Sequence, residues 1–98
     1  MPVTLKLKFV KPDADTPSYI NYEMGRKIRE YQLAGKIIQE PSIEISDDGL
    51  VETRTIMYDS AGSANDFRVD DVAVENQQLR YEWCKANNVK FSFTLDEG

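Results

Sequence analysis

Residues 36–58 read KIIQEPSIEISDDGLVETRTIMY, two extended stretches joined by an Asp-Asp-Gly turn, and their reading decides the fold. Asp47-Asp48-Gly49 signals a hairpin, because a short hairpin loop demands a positive φ that glycine supplies without steric cost. Ahead of the turn, residues 36–46 read as a strand with Ile37, Gln39, Pro41, Ile43 and Ile45 on one side. Pro41 lacks the N–H that a central strand must donate, so this strand belongs at a sheet edge. Beyond the turn, residues 50–58 form the next strand. Glu52 and Arg54 mark its outer face, leaving Val51, Thr53, Thr55 and Met57 to point at the helices.

The flanking sequence extends this hairpin on both sides. Val3, Leu5, Leu7 and Phe9 alternate with Thr4, Lys6 and Lys8, so residues 3–10 are a strand with one buried face. Residues 11–17 break the alternation, and Thr16 or Asp15 can cap a helix with Pro17 in its first turn. That helix runs over about residues 17–34, with Ile20, Met24, Ile28 and Tyr31 facing the sheet and Glu23 paired with Lys27 at i, i+4 on the opposite side. Gly35 ends it as a left-handed cap.

After the hairpin, Ser63-Ala64-Asn65-Asp66 has the form of a capping box. A short helical turn follows, then an irregularity near residues 68–71. A long helix comes next, with the stripe Val72, Asn76, Leu79, Trp83 and Ala86 turned inward. Asn87-Asn88 closes it, since asparagine tolerates the left-handed region. Residues 89–95 alternate again as a last strand, and Asp96-Glu97-Gly98 forms a solvated tail.

Strand, helix, strand, strand, helix, strand is the order of a ferredoxin-like α+β domain. The expected sheet is four-stranded and antiparallel with strand order 4-1-3-2, and both helices lie on one face. Ninety-eight residues suit one such domain spanning the whole chain, 1–98.

Composition narrows the function. With 41% hydrophobic and 30% charged residues the chain is globular, and no stretch approaches the roughly 20 apolar residues of a membrane helix. The N-terminus lacks the pattern of a signal peptide, so a soluble, cytoplasmic protein is expected, with no membrane partner. Cys84 is the only cysteine and there is no histidine, which removes intrachain disulfides, histidine triads and His-ligated metal sites. Residues 1–40 carry seven basic against five acidic side chains, whereas residues 41–98 carry five against twelve. An overall charge of -5 argues against nucleic acid, and of the outer faces of strands one and three only Tyr58 offers a stacking ring for RNA.

The stretch from Arg54 to Phe93 resembles small dimeric α/β-barrel proteins related to antibiotic-biosynthesis monooxygenases. The matching residues are Ile56-Met57-Tyr58, Asp59-Ser60, Asp66-Phe67, Asp70-Asp71-Val72 and residues 81–88. The resemblance implies a homodimer paired through its sheets. The histidine that some members use is absent here.

Two readings of the residues stand side by side. In one, a hairpin that pairs Ile38 with Tyr58 gathers Ile38, Ile56 and Tyr58 into an apolar patch on the outer sheet face. The protein is then a non-catalytic homo-oligomeric assembly or binding module, of a kind that phage-related genes also encode. In the other, Tyr22, Arg26, Asn76 and Trp83 hold a small aromatic substrate between helices and sheet, as in a cofactor-independent monooxygenase-like enzyme. Neither reading calls for a cofactor. The acidic clusters Asp47-Asp48, Asp66 with Asp70-Asp71, and Asp96-Glu97 lack the alternation of a calcium loop, so no metal site is assigned.

Overall fold

The computed structural model describes residues 1–97; Gly98, the end of the expected tail, lies outside the described residues. Its elements are β1 (Val3–Val10), α1 (Tyr22–Leu33), β2 (Ser42–Ile45), β3 (Val51–Tyr58), α2 (Ala61–Val69), α3 (Asp71–Ala86) and β4 (Lys90–Asp96). The four strands form one antiparallel sheet in the order β2-β3-β1-β4, which is the expected 4-1-3-2 arrangement. Pro41 does sit beside an edge strand. It also shortens that strand: after the Ile37–Tyr58 bridge, pairing resumes only at Ser42 opposite Thr55, so five residue steps on one side face three on the other.

Strand β3 presents the face opposite to the one its sequence suggested. Glu52, Ile56 and Tyr58 are buried, whereas Val51, Thr53, Thr55 and Met57 lie on the outer face. In the hairpin Ile45 pairs with Glu52, one residue on from the expected register, and beyond Pro41 Ile37 rather than Ile38 pairs with Tyr58, one residue the other way; both shifts set Glu52, Ile56 and Tyr58 on the side of Ile37, Ile43 and Ile45. The turn itself produces the first of these shifts. Gly49, at φ 75°, donates its N–H to the Ser46 carbonyl at 2.9 Å, and the Asp48 carboxylate accepts from the Leu50 N–H at 3.0 Å. The Val51 N–H then bonds to the Ser46 hydroxyl at 3.0 Å, while the Ser46 N–H reaches the Val51 carbonyl at 2.9 Å. Side-chain acceptors thus satisfy the donors of a loop one residue longer than Asp47-Asp48-Gly49.

Helix α1 starts later than expected. The Asn21 carboxamide oxygen caps it by accepting from the N–H groups of Glu23 (3.0 Å) and Met24 (3.3 Å). Asp13 is occupied in a local turn with Thr16 at 2.9 Å, so residues 11–21 form an irregular strap in place of the first helical turns. Ile20 is therefore outside the helix and 65% exposed, while Met24, Ile28 and Tyr31 pack on the core as their spacing predicts. Lys27 pairs with Glu30 at 3.1 Å and Asp70 at 3.5 Å rather than with Glu23. Gly35 (φ 77°) and Asn88 (φ 56°) adopt the left-handed conformations read from the sequence.

The expected irregularity before the long helix is a clean break. Asp70 has extended backbone angles (φ -63°, ψ 141°) and caps α3 through the Val72 N–H at 3.0 Å. The cap of α2 is Ser60, which accepts from the Ser63 N–H at 3.2 Å, three residues ahead of the predicted capping box. The inward face of α3 carries Ala73, Asn76 and Cys84, with Leu79 turned out and 43% exposed. Ala73 takes the inward position where Val72 was expected.

Two apolar clusters fill the layer between sheet and helices. Ile37, Ile56, Tyr58, Phe67 and Ala73 form one, and Phe9, Tyr19, Cys84 and Val89 form the other. The β1–β3 register sets Leu5 against Ile56 in the first, and Leu7 against Arg54 and Phe9 against Glu52 toward the second. A polar band therefore enters the interior of the fold. At the sheet margins, Ile43 and Ile45 on β2 and Phe93 and Leu95 on β4 share the helix-facing side but are exposed.

Candidate functional site

The polar band is built around Glu52, the most deeply buried charge in the protein at 1% exposure. Its carboxylate accepts from the Ser18 hydroxyl at 2.5 Å and from the Arg54 Nε at 2.7 Å, and the Lys11 ammonium lies 3.9 Å away. Burial alone would raise its pKa, but the bonds from Ser18 and Arg54 and the charges of Arg54 and Lys11 outweigh it and hold the carboxyl below its ordinary value. Arg54 also donates to the Tyr19 carbonyl at 2.5 Å. Two side chains of β3 thus pin the strap onto the sheet.

The same strap delivers Tyr19 to α3. Its hydroxyl donates to the Asn76 Oδ1 at 2.7 Å, and its ring lies 5.6 Å from that of Trp83. The Asn21 Nδ2 donates to the same Oδ1 at 3.0 Å. The orientation of both amides follows from the helix cap: the Asn21 oxygen serves the α1 N-terminus, so its nitrogen must face Asn76, and Asn76 must accept. The Asn76 Nδ2 takes no part in these two bonds, and no buried side-chain nitrogen or oxygen among the described residues is left without a partner.

One turn along α3 from Asn76, a groove of about 550 Å³ opens between α3 and β4, lined by Gln77, Arg80, Tyr81, Cys84, Lys85, Val89 and Phe91. That volume falls within the range of small-molecule sites, roughly 300–1,000 Å³. A hollow of about 160 Å³ lies on the outer sheet face beside Lys6, Lys8 and Thr53. Cys84 is buried and its thiol is pushed up by that burial, which makes it a packing residue rather than a nucleophile.

Of the four substrate residues expected from the sequence, the structure brings together Asn76 and Trp83, through Tyr19. Tyr22 is 79% exposed and Arg26 is also exposed, both on the solvent side of α1, because each stands two residues, or about 200°, from the inward-facing Met24. The expected interface patch dissolves for the reason given above: Ile56 and Tyr58 are core residues at 5% and 2% exposure, and only Ile38 is exposed. Glu52, Arg54, Ser18 and Lys11 were missed as members of a site. Alternation does flag the Glu52–Arg54 pair as polar, but a one-residue register shift decides whether that means outside or inside. Among the described residues no group of three or more His, Cys, Asp or Glu side chains could hold a metal ion, and no helix is long and apolar enough to cross a membrane.

A four-stranded antiparallel sheet in the order β2-β3-β1-β4 with its helices on one face defines a ferredoxin-like α+β fold, similar to that of antibiotic biosynthesis monooxygenase-like proteins. Two solved structures share it. Rv0793 from Mycobacterium tuberculosis superimposes with a TM-score of 0.57 at 15% identity, over 97% of this chain and 92% of that one. A candidate antibiotic biosynthesis monooxygenase from Deinococcus radiodurans does so with a TM-score of 0.58 at 10% identity, over 100% of this chain and 92% of that one. No protein-family model and no curated protein matches the sequence.

Proposed function

We propose that the protein binds and acts on a small aromatic molecule, as a cofactor-independent enzyme of the monooxygenase-like kind. The observation that carries this reading is the polar and aromatic cluster of the Asn76 amide, the Tyr19 hydroxyl and the Trp83 ring, one helical turn from a groove of ligand size. Asn76 and Tyr19 would hold a carbonyl or phenolic oxygen of the substrate, and Trp83 would wall its ring. The kind of protein represented by the Deinococcus radiodurans structure supports the reading in class.

Trp83 is the only tryptophan, so its fluorescence reports on this site directly. Titration with 1-naphthol is expected to quench it saturably. Asn76→Ala should weaken binding about tenfold, the equivalent of about 1.4 kcal/mol. An absence of saturation, or an unchanged affinity in a variant that circular dichroism shows to be folded, would refute the proposal.

The uncovered apolar side chains at the sheet margins favour a second property, association into a homo-oligomer, most simply a dimer. Ile43, Ile45, Phe93 and Leu95 lie at 60%, 56%, 63% and 47% exposure, an arrangement more typical of an association surface than of a free one. Light scattering of the wild type should give twice the chain mass, and Phe93→Lys should shift it toward monomer. A monomeric wild type at micromolar concentration would contradict this.

A further inference from the structure

Arg80 stands apart from the other interior cations. Arg54 and Lys11 share the Glu52 carboxylate, and Lys27 has Glu30 and Asp70. Arg80, half-buried on α3, is matched by no carboxylate and no hydrogen bond among the described residues. Its guanidinium lies over the Phe91 ring, 4.2 Å from the centroid. Phe91 packs on Phe9 at 5.0 Å, and Arg54 covers Phe9 at 5.0 Å, so two arginines bracket a pair of phenylalanines.

Charge does not balance across this ladder. Lys11, Arg54 and Arg80 oppose a single interior carboxylate, that of Glu52, and Lys85 adds a further positive charge at the rim of the groove. Partial burial penalises the charge on Arg80, and the nearby Arg54 adds to that penalty, so its pKa lies below the usual arginine value. A desolvated cation gains most from a partner of opposite sign. In a chain of net charge -5, a groove whose lining carries two cations and no carboxylate is a local exception.

We propose that the groove between α3 and β4 is an anion-binding site in which Arg80, with Lys85 at the rim, receives a carboxylate or phenolate carried on a flat, apolar molecule. Arg80 supplies paired N–H donors that suit a planar oxyanion, while Tyr81, Val89 and Phe91 contact the apolar body. The Phe91 ring fixes the guanidinium plane, so little side-chain freedom remains to be lost on binding. The inference deepens the small-molecule reading above and rests on it: the substrate, or a product held after reaction, carries a negative charge.

The test compares 1-naphthoate with its neutral isostere 1-naphthamide, followed by amide chemical shifts of the intact protein. The wild type should bind naphthoate at least tenfold more tightly than naphthamide, with a preference that shrinks as salt rises. Arg80→Met removes the guanidinium stacked on Phe91 while keeping an apolar stem in its place, and should erase the preference; Arg80→Lys should retain part of it. Equal affinity for the two probes, binding of neither, or a preference that survives Arg80→Met would overturn the inference. Equal binding leaves the naphthol result at Asn76 standing, so the two proposals fail separately.

Discussion

Phe67→Ala lowers the folding stability by about 4 kcal/mol, the cost of emptying a large buried aromatic site. Phe67 is 4% exposed, stands edge-on to Tyr31 at 4.9 Å and tilts against Tyr58 at 5.8 Å. It joins α1, β3 and α2 at one point. Helix α2 buries only one other residue, Ser63, so no neighbouring side chain of that helix can close the gap. Small domains are stable by about 5–15 kcal/mol in all, so the variant would sit near the edge of folding. Urea denaturation measures the loss; Phe67→Leu, which keeps most of the volume, should cost about 1–2 kcal/mol. A loss below about 1 kcal/mol for Phe67→Ala would show that α2 is held by something other than this ring.

The topology was legible because several local signals agree with one another. Alternation in β1, Pro41 at the edge, Gly49 in the turn and Asn88 after α3 each depend on the backbone conformation of one or two residues, and each is found as expected. Which face β3 buries depends instead on the hairpin register. That was set by two side chains, Ser46 and Asp48, bonding to Val51 and Leu50, an outcome invisible to a count of polar and apolar positions. The same shift that put Glu52 inside moved Ile56 and Tyr58 out of a supposed interface and into the core. Likewise, capping by Asn21 rather than by Thr16 or Asp15 left Tyr19 in the strap, where it turns inward. Asn76 and Trp83 were found because an amide and an indole on the longest helix needed partners wherever that helix packed. Arg80 escaped notice because nothing local in the sequence marks an arginine that will lack a carboxylate.

Glu52→Gln should destabilise the protein by about 3 kcal/mol at neutral pH, since removing one charge of a buried pair leaves its partners uncompensated. The carboxylate at 1% exposure is faced by Ser18 and Lys11 from the strap and Arg54 from its own strand. Glutamine fits the space and can still accept from Ser18, so the loss isolates charge from volume. The pH dependence separates this effect from simple misfitting. Because the folded carboxyl titrates below its ordinary value of 4.5, its contribution is complete above that pH and is lost as pH falls through the folded value. The stability difference between wild type and Glu52→Gln should therefore be flat from about pH 5.5 to 8 and shrink below about 4.5, where protonated Glu52 comes to resemble the amide. A difference that stayed constant into acid would mean that shape rather than charge holds the strap. Amide exchange across residues 11–21 completes the argument. Release of Ser18 and Arg54 should speed exchange there more than in β1 and β4, and the Tyr19–Asn76 bond that organises the proposed site should loosen with it.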